Sequence, residues 1–71
     1  MIKLYSQSGC VLCSTVKKLL SKKNINYELI EITYEEVEKY RELGITHTPI
    51  LQLEDGTTLS GKAIIDWVNK Q

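Results

Sequence analysis

The residues best suited to covalent chemistry are Cys10 and Cys13, the only two cysteines, which stand as Cys-Val-Leu-Cys inside the stretch 8–18. A C-x-x-C pair admits three readings: dithiol–disulfide exchange, half of a metal site, or two small residues packed in a core. Tetrahedral zinc needs four ligands, and the chain offers these two cysteines and one histidine, His47, so zinc or an iron–sulfur cluster would need a second subunit or external thiols. No metal ligand set is assigned.

Position distinguishes the two sulfurs. Cys10 falls at the expected start of a helix, where unpaired backbone N–H groups and the positive end of the macrodipole stabilise a thiolate. A free thiol of pKa about 8.5 is only a few per cent ionised at neutral pH, whereas the first cysteine of such motifs commonly falls near or below about 7. Each unit is worth about 1.4 kcal/mol of preference for the anion. Cys10 is therefore the expected nucleophile. Cys13 follows one helical turn later on the same face and is the expected resolving thiol. Lys17 projects from that face too, but seven residues of helix are roughly 10 Å. A solvated charge at that distance is worth about 0.4 kcal/mol before screening, so the helix terminus should dominate.

A strand must bring the chain to Cys10 and a helix must lead it away. Ile2-Lys3-Leu4-Tyr5 alternates apolar and polar residues as a strand does, and Gly9 with the nearby serines breaks it. From Val11 to Lys23, Leu12, Val16, Leu19 and Leu20 keep the spacing of an amphipathic helix that ends near Asn24. Tyr27 to Ile32 is rich in β-formers and completes a parallel βαβ unit, expected to be right-handed. Thr33 with Glu36 has the capping-box pattern. Val37, Tyr40 and Leu43 then mark one face of a second helix that Gly44 can end. Pro49 to Leu53, Asp55-Gly56 and Thr57 to Leu59 read as an antiparallel hairpin. Ser60-Gly61 opens a last helix with Ile64, Ile65 and Val68 on one side and Trp67 closing its edge against the sheet. The expected fold is α/β, in the order β-α-β-α-β-β-α, with one mixed four-stranded sheet flanked by three helices.

With 71 residues the chain is read as one domain, residues 1–71, near the size at which a single core supplies about 3 to 5 kcal/mol. Nine basic side chains balance nine acidic ones, so no overall field attracts nucleic acid or an anionic membrane. The first residues turn polar almost at once and no segment approaches a membrane span. The expected location is the cytoplasm, where reducing buffers keep structural disulfides rare and closely spaced cysteines point to catalysis or metal binding. Lys17, Lys18, Lys22 and Lys23 read as a solvated helix face, and His47 as a solvated residue beside the proline.

The ordered set Tyr5-Ser6-x-x-x-Cys10-Val11-Leu12-Cys13, Lys17, Gly44-Ile45-Thr46-His47-Thr48-Pro49 and Leu59-Ser60-Gly61 resembles the glutaredoxins. More narrowly, it resembles the small NrdH-type redoxins that serve ribonucleotide reductase as hydrogen donors. The resemblance covers essentially the whole chain. It implies a thioredoxin-like (glutaredoxin) fold, dithiol–disulfide exchange on protein disulfides with ribonucleotide reductase as a possible acceptor, and a proline loop packed beside the cysteines. Pro49 matches that proline, whose isomer the sequence leaves open. By resemblance, the main chain at Thr48 pairs with a bound substrate as an added strand would. Glutaredoxins hold glutathione with a basic residue three before the first cysteine, a Cys-Pro-Tyr-Cys centre and a polar or acidic residue after the glycine pair. Here those places carry Gln7, Val11 with Leu12, and Gly61 with Lys62 and Ala63. The candidate substrate-binding set is thus Gln7, Leu12, Thr48, Pro49, Gly61 and Lys62. No bound cofactor is expected, electrons coming from glutathione or from thioredoxin reductase, and the expected state is a monomer.

Overall fold

A computed structural model describes residues 1–44 and 47–71, so Ile45 and Thr46 of the Gly44–Pro49 motif lie outside the described residues. The strands are β1 (Ile2–Gln7), β2 (Tyr27–Ile32), β3 (Ile50–Gln52) and β4 (Thr58–Ser60), and the helices are α1 (Val11–Lys22), α2 (Val37–Glu42) and α3 (Lys62–Asn69). A single 3-10 turn, Tyr34–Glu36, leads into α2. The sheet has the order β2-β1-β3-β4, with β1 parallel to β2 and antiparallel to β3, and β3 antiparallel to β4. This is the mixed four-stranded sheet with three helices expected from the sequence.

The period-2 alternation of β1 divides its side chains between two layers. Leu4 is fully buried on one face with Val16 and Leu20 of α1, Leu51 of β3, and Ile64 and Val68 of α3. Tyr5 looks to the other face, where its ring meets the Tyr40 ring of α2 edge-on at 5.9 Å between centroids. Helices α1 and α3 therefore share one layer while α2 covers the opposite side. Trp67 packs half-buried against the core cluster, as expected for an edge-closing residue.

Three local readings change. β1 runs two residues past Tyr5, because pairing of Ser6 with Glu31 and Gln7 with Ile32 extends the parallel ladder. The Thr33–Glu36 box does not form in its backbone-capping version. Instead the Thr33 hydroxyl donates to Glu36 Oε1 at 2.9 Å, and the Glu36 N–H donates to the Thr33 carbonyl at 3.0 Å, which closes the 3-10 turn. Leu43 is 68% exposed and no residue of α2 is buried. A six-residue helix beginning after the 3-10 turn holds Val37 and Tyr40 half-buried, but Leu43 falls beyond its end, where the Gly44 N–H donates to the Arg41 carbonyl.

Candidate redox site

β1 delivers the chain to a tight reversal in which Gly9 adopts φ +82° and the Cys10 N–H donates to the Gln7 carbonyl at 3.2 Å. Cys10 is left in extended geometry as the N-cap of α1, where a serine, threonine or aspartate oxygen would ordinarily stand. Its Sγ accepts the Cys13 N–H at 3.1 Å, so sulfur takes up one of the helix's orphan donors. No acidic residue occupies the first turn of α1 to compete for that positive end. Helix N-termini in general favour negative charge.

Cys10 and Cys13 are joined as a disulfide, with Cα atoms 5.2 Å apart. Their surroundings differ. Cys13 is 1% exposed and belongs to the buried set, whereas Cys10 is half-buried, and the two residues between them face outward, Val11 at 81% and Leu12 at 37% exposed. Cys10 is the more exposed residue of the pair. Lys17 is not directed at this chemistry alone: its Nζ stands 3.7 Å from Glu31 Oε1 of β2, an exposed pair of small energetic weight.

Strand register places most of the remaining sequence candidates at the same end of the sheet. Tyr5 pairs with Ile50 and Ile50 with Ser60. The residues that adjoin these pairs in the chain, Ser6 and Gln7, Pro49 and Thr48, and Gly61, therefore lie at the same end of the sheet. Pro49 is buried and its peptide bond with Thr48 is cis. Thr48 is half-buried, Gly61 is the N-cap of α3 with φ +55° and ψ −128°, and Lys62 is exposed on the first turn of α3. Leu12 reaches the surface from the first turn of α1. His47 is exposed beside this loop. Among the described residues there is no group of three or more His, Cys, Asp or Glu side chains able to hold a metal ion. No helix among them is long and apolar enough to cross a membrane.

A feature of this end that residue-by-residue reading passes over is a groove of about 540 Å³ lined by Gln7, Tyr34, Glu35, Val37, Glu38 and Arg41. Its signal in the sequence is the i, i+3, i+4, i+7 stripe of positions 34, 37, 38 and 41, masked by the competing apolar series of Val37, Tyr40 and Leu43.

The four-stranded sheet with a cysteine pair capping the first helix defines a thiol–disulfide oxidoreductase of thioredoxin-like fold. The chain belongs to the glutaredoxin family, whose model matches residues 2–53. A relative is the glutaredoxin-like protein NrdH of Lactococcus lactis, 37% identical over 57 residues that cover 78% of this chain and 79% of that protein. Among solved structures, a thioredoxin-like protein superposes with a TM-score of 0.75 at 24% identity, covering 99% of this chain and 97% of the other. A glutathione S-transferase from Methylobacillus flagellatus, solved with glutathione bound, superposes with a TM-score of 0.80 at 20% identity. All of this chain is covered in that comparison, yet it spans only 37% of the transferase. These two structural likenesses carry the fold alone.

Proposed function

We propose that the protein is a small dithiol carrier that reduces disulfides in another protein, Cys10 acting as nucleophile and Cys13 as resolving thiol. The observation that carries this reading is the asymmetry of the pair: the half-buried Cys10 caps a helix through its sulfur, and its bonded neighbour is 1% exposed. In the reduced protein the Cys10 thiolate attacks one sulfur of the partner's disulfide, forming a mixed disulfide and releasing the partner's other sulfur as a thiol after protonation. The Cys13 thiolate then attacks the Cys10 sulfur, forming the Cys10–Cys13 bond and expelling the second partner thiol. Two electrons pass to the partner, whose disulfide becomes a dithiol. Thr48, beside Pro49, is the backbone that an extended substrate segment would pair with.

Ribonucleotide reductase is the acceptor that likeness to an NrdH protein suggests, and we place the carrier in the cytoplasm as a monomer. We assign the return of electrons to thioredoxin reductase, with glutathione as the outcome that would displace it. The basis is that Gln7, Leu12 and Lys62 stand where glutaredoxins carry glutathione-holding groups. Two NADPH-coupled assays decide: one through thioredoxin reductase, one through glutathione and its reductase. The expected result is turnover in the first and little in the second. In parallel, Cys13→Ser is expected to accumulate a mixed disulfide with the acceptor, and Cys10→Ser to lose disulfide reduction. Full activity in Cys10→Ser would overturn the assignment of roles.

A further inference from the structure

The groove is lined by Gln7, whose carbonyl accepts the Cys10 N–H at 3.2 Å, so it opens at the redox end of the sheet. One wall is built by the 3-10 turn and α2. Tyr34, Val37, Glu38 and Arg41 share one helical face there, and Glu35 lies one turn before Glu38. That face does not serve the core, since Tyr34 is 93% exposed and nothing on α2 is buried. None of Glu35, Glu38 and Arg41 forms an ion pair with another described residue, whereas Lys17 and Glu31 do pair elsewhere.

Charge is ordered along the wall. Ile32, the last residue of β2, pairs with Gln7, so the chain enters the wall at the redox end with Tyr34 and Glu35, and Glu38 and Arg41 follow in order along the stripe. From 34 to 41 it is roughly 10 Å long, which matches about three residues of extended chain. A lysine or arginine near the substrate's cysteine would meet two carboxylates and an exposed tyrosine ring, groups that attract cations. A carboxylate in the same place would meet like charge. Arg41, last in the stripe, puts the opposite preference at one position only.

We propose that this groove seats the polypeptide flanking the reactive cysteine of the partner protein, and that Glu35 and Glu38 select a basic side chain within about three residues of that cysteine. The inference rests on the carrier reading above and adds a rule for which protein disulfides it takes. Binding precedes the exchange and leaves its stoichiometry unchanged: one dithiol and one disulfide become one disulfide and two thiols.

The test uses the full chain in its reduced form and symmetrical disulfides of short peptides that differ only in having lysine, alanine or glutamate two residues after cysteine. Single-turnover oxidation is followed by the appearance of free peptide thiol. At low salt the lysine peptide is expected to react about 3- to 10-fold faster than the glutamate peptide, at two surface ion pairs' worth of preference. Salt should compress the ratio as the charges are screened. In Glu35→Gln/Glu38→Gln the ratio should fall below about twofold, with circular dichroism reporting the fold. Glu28→Gln, on the outer strand β2, should retain the wild-type ratio. Equal rates for the charged peptides in the wild type, or an undiminished ratio in the folded double variant, would refute the groove while leaving the carrier intact. Failure of the wild type to be oxidised even by the alanine peptide would instead remove the carrier reading, and the groove with it.

Discussion

Leu51 and Leu43 look equally apolar in the sequence, yet the structure gives the same substitution very unequal consequences at the two sites. Leu51 is the central residue of β3, has no exposed surface, and lies between Leu4 of β1 and Leu59 of β4 in strand register. It also packs in the cluster that joins α1 and α3 to the sheet. Leu51→Ala should cost about 2 to 5 kcal/mol, the sum of lost transfer energy and an unfilled cavity. Against a net stability of about 4 kcal/mol for a domain this small, a loss of about 3 leaves about 1. That leaves on the order of 15% of molecules unfolded at 25 °C. With a urea dependence of about 1 kcal/mol per molar, the unfolding midpoint should fall by about 3 M. Leu43→Ala, at a 68% exposed site, should move it by no more than about 0.5 M. Urea titration followed by circular dichroism reads both variants. Equal shifts for the two, or a shift below about 1 M for Leu51→Ala, would refute the assignment of Leu51 to the centre of the core. Because Leu51 follows Ile50 and Pro49 directly, the same variant should also slow mixed-disulfide formation.

Other perturbations separate fold from chemistry. Lys17→Gln should lower stability by less than about 1 kcal/mol, because its pair with Glu31 is exposed. It should change the rate of disulfide exchange by no more than about twofold, the effect of a screened charge roughly 10 Å away. Gly61→Ala meets no atom within 4 Å, so its cost is backbone strain at φ +55°, about 1 to 3 kcal/mol on thermal or urea unfolding. Asp55 accepts the Thr57 N–H at 2.9 Å in the β3–β4 turn, and that hydrogen bond holds its carboxyl below the usual carboxylate value of 3.8. A depressed folded pKa contributes stability that is complete above the unfolded value and is lost as pH falls through the folded one. Asp55→Ala should therefore flatten the decline in stability below about pH 4, measured by urea midpoints across the acid range.

Most of the architecture was legible because local rules and global pairing agree. Tyr27–Ile32 emerges with the strand limits read from its β-forming residues, and Asp55-Gly56 makes the antiparallel turn that its residue types require. The second helix was harder. Thr33, Glu36, Val37, Tyr40 and Leu43 spell a capped amphipathic helix, but the chain closes a 3-10 turn first and spends only six residues on α2. Periodicity alone could not say that its other stripe would face an open groove, since a stripe shows only that residues share a side and not what stands opposite.

Cys10 and Cys13 carried their chemistry in their spacing, because a C-x-x-C entering a helix places both sulfurs in one turn, the first at the unpaired N–H groups. Their unequal exposure came from packing, as α1 settles on the sheet with Cys13 inward and Val11 outward. The gathering of Gln7, Thr48, Pro49 and Gly61 at one end of the sheet was likewise decided by strand order and register, which join segments some forty to fifty residues apart. Local residue types dictate a cap, a turn or a strand through short-range sterics and hydrogen bonds. The company each side chain keeps depends on long-range pairing, and no stretch of chain encodes that by itself.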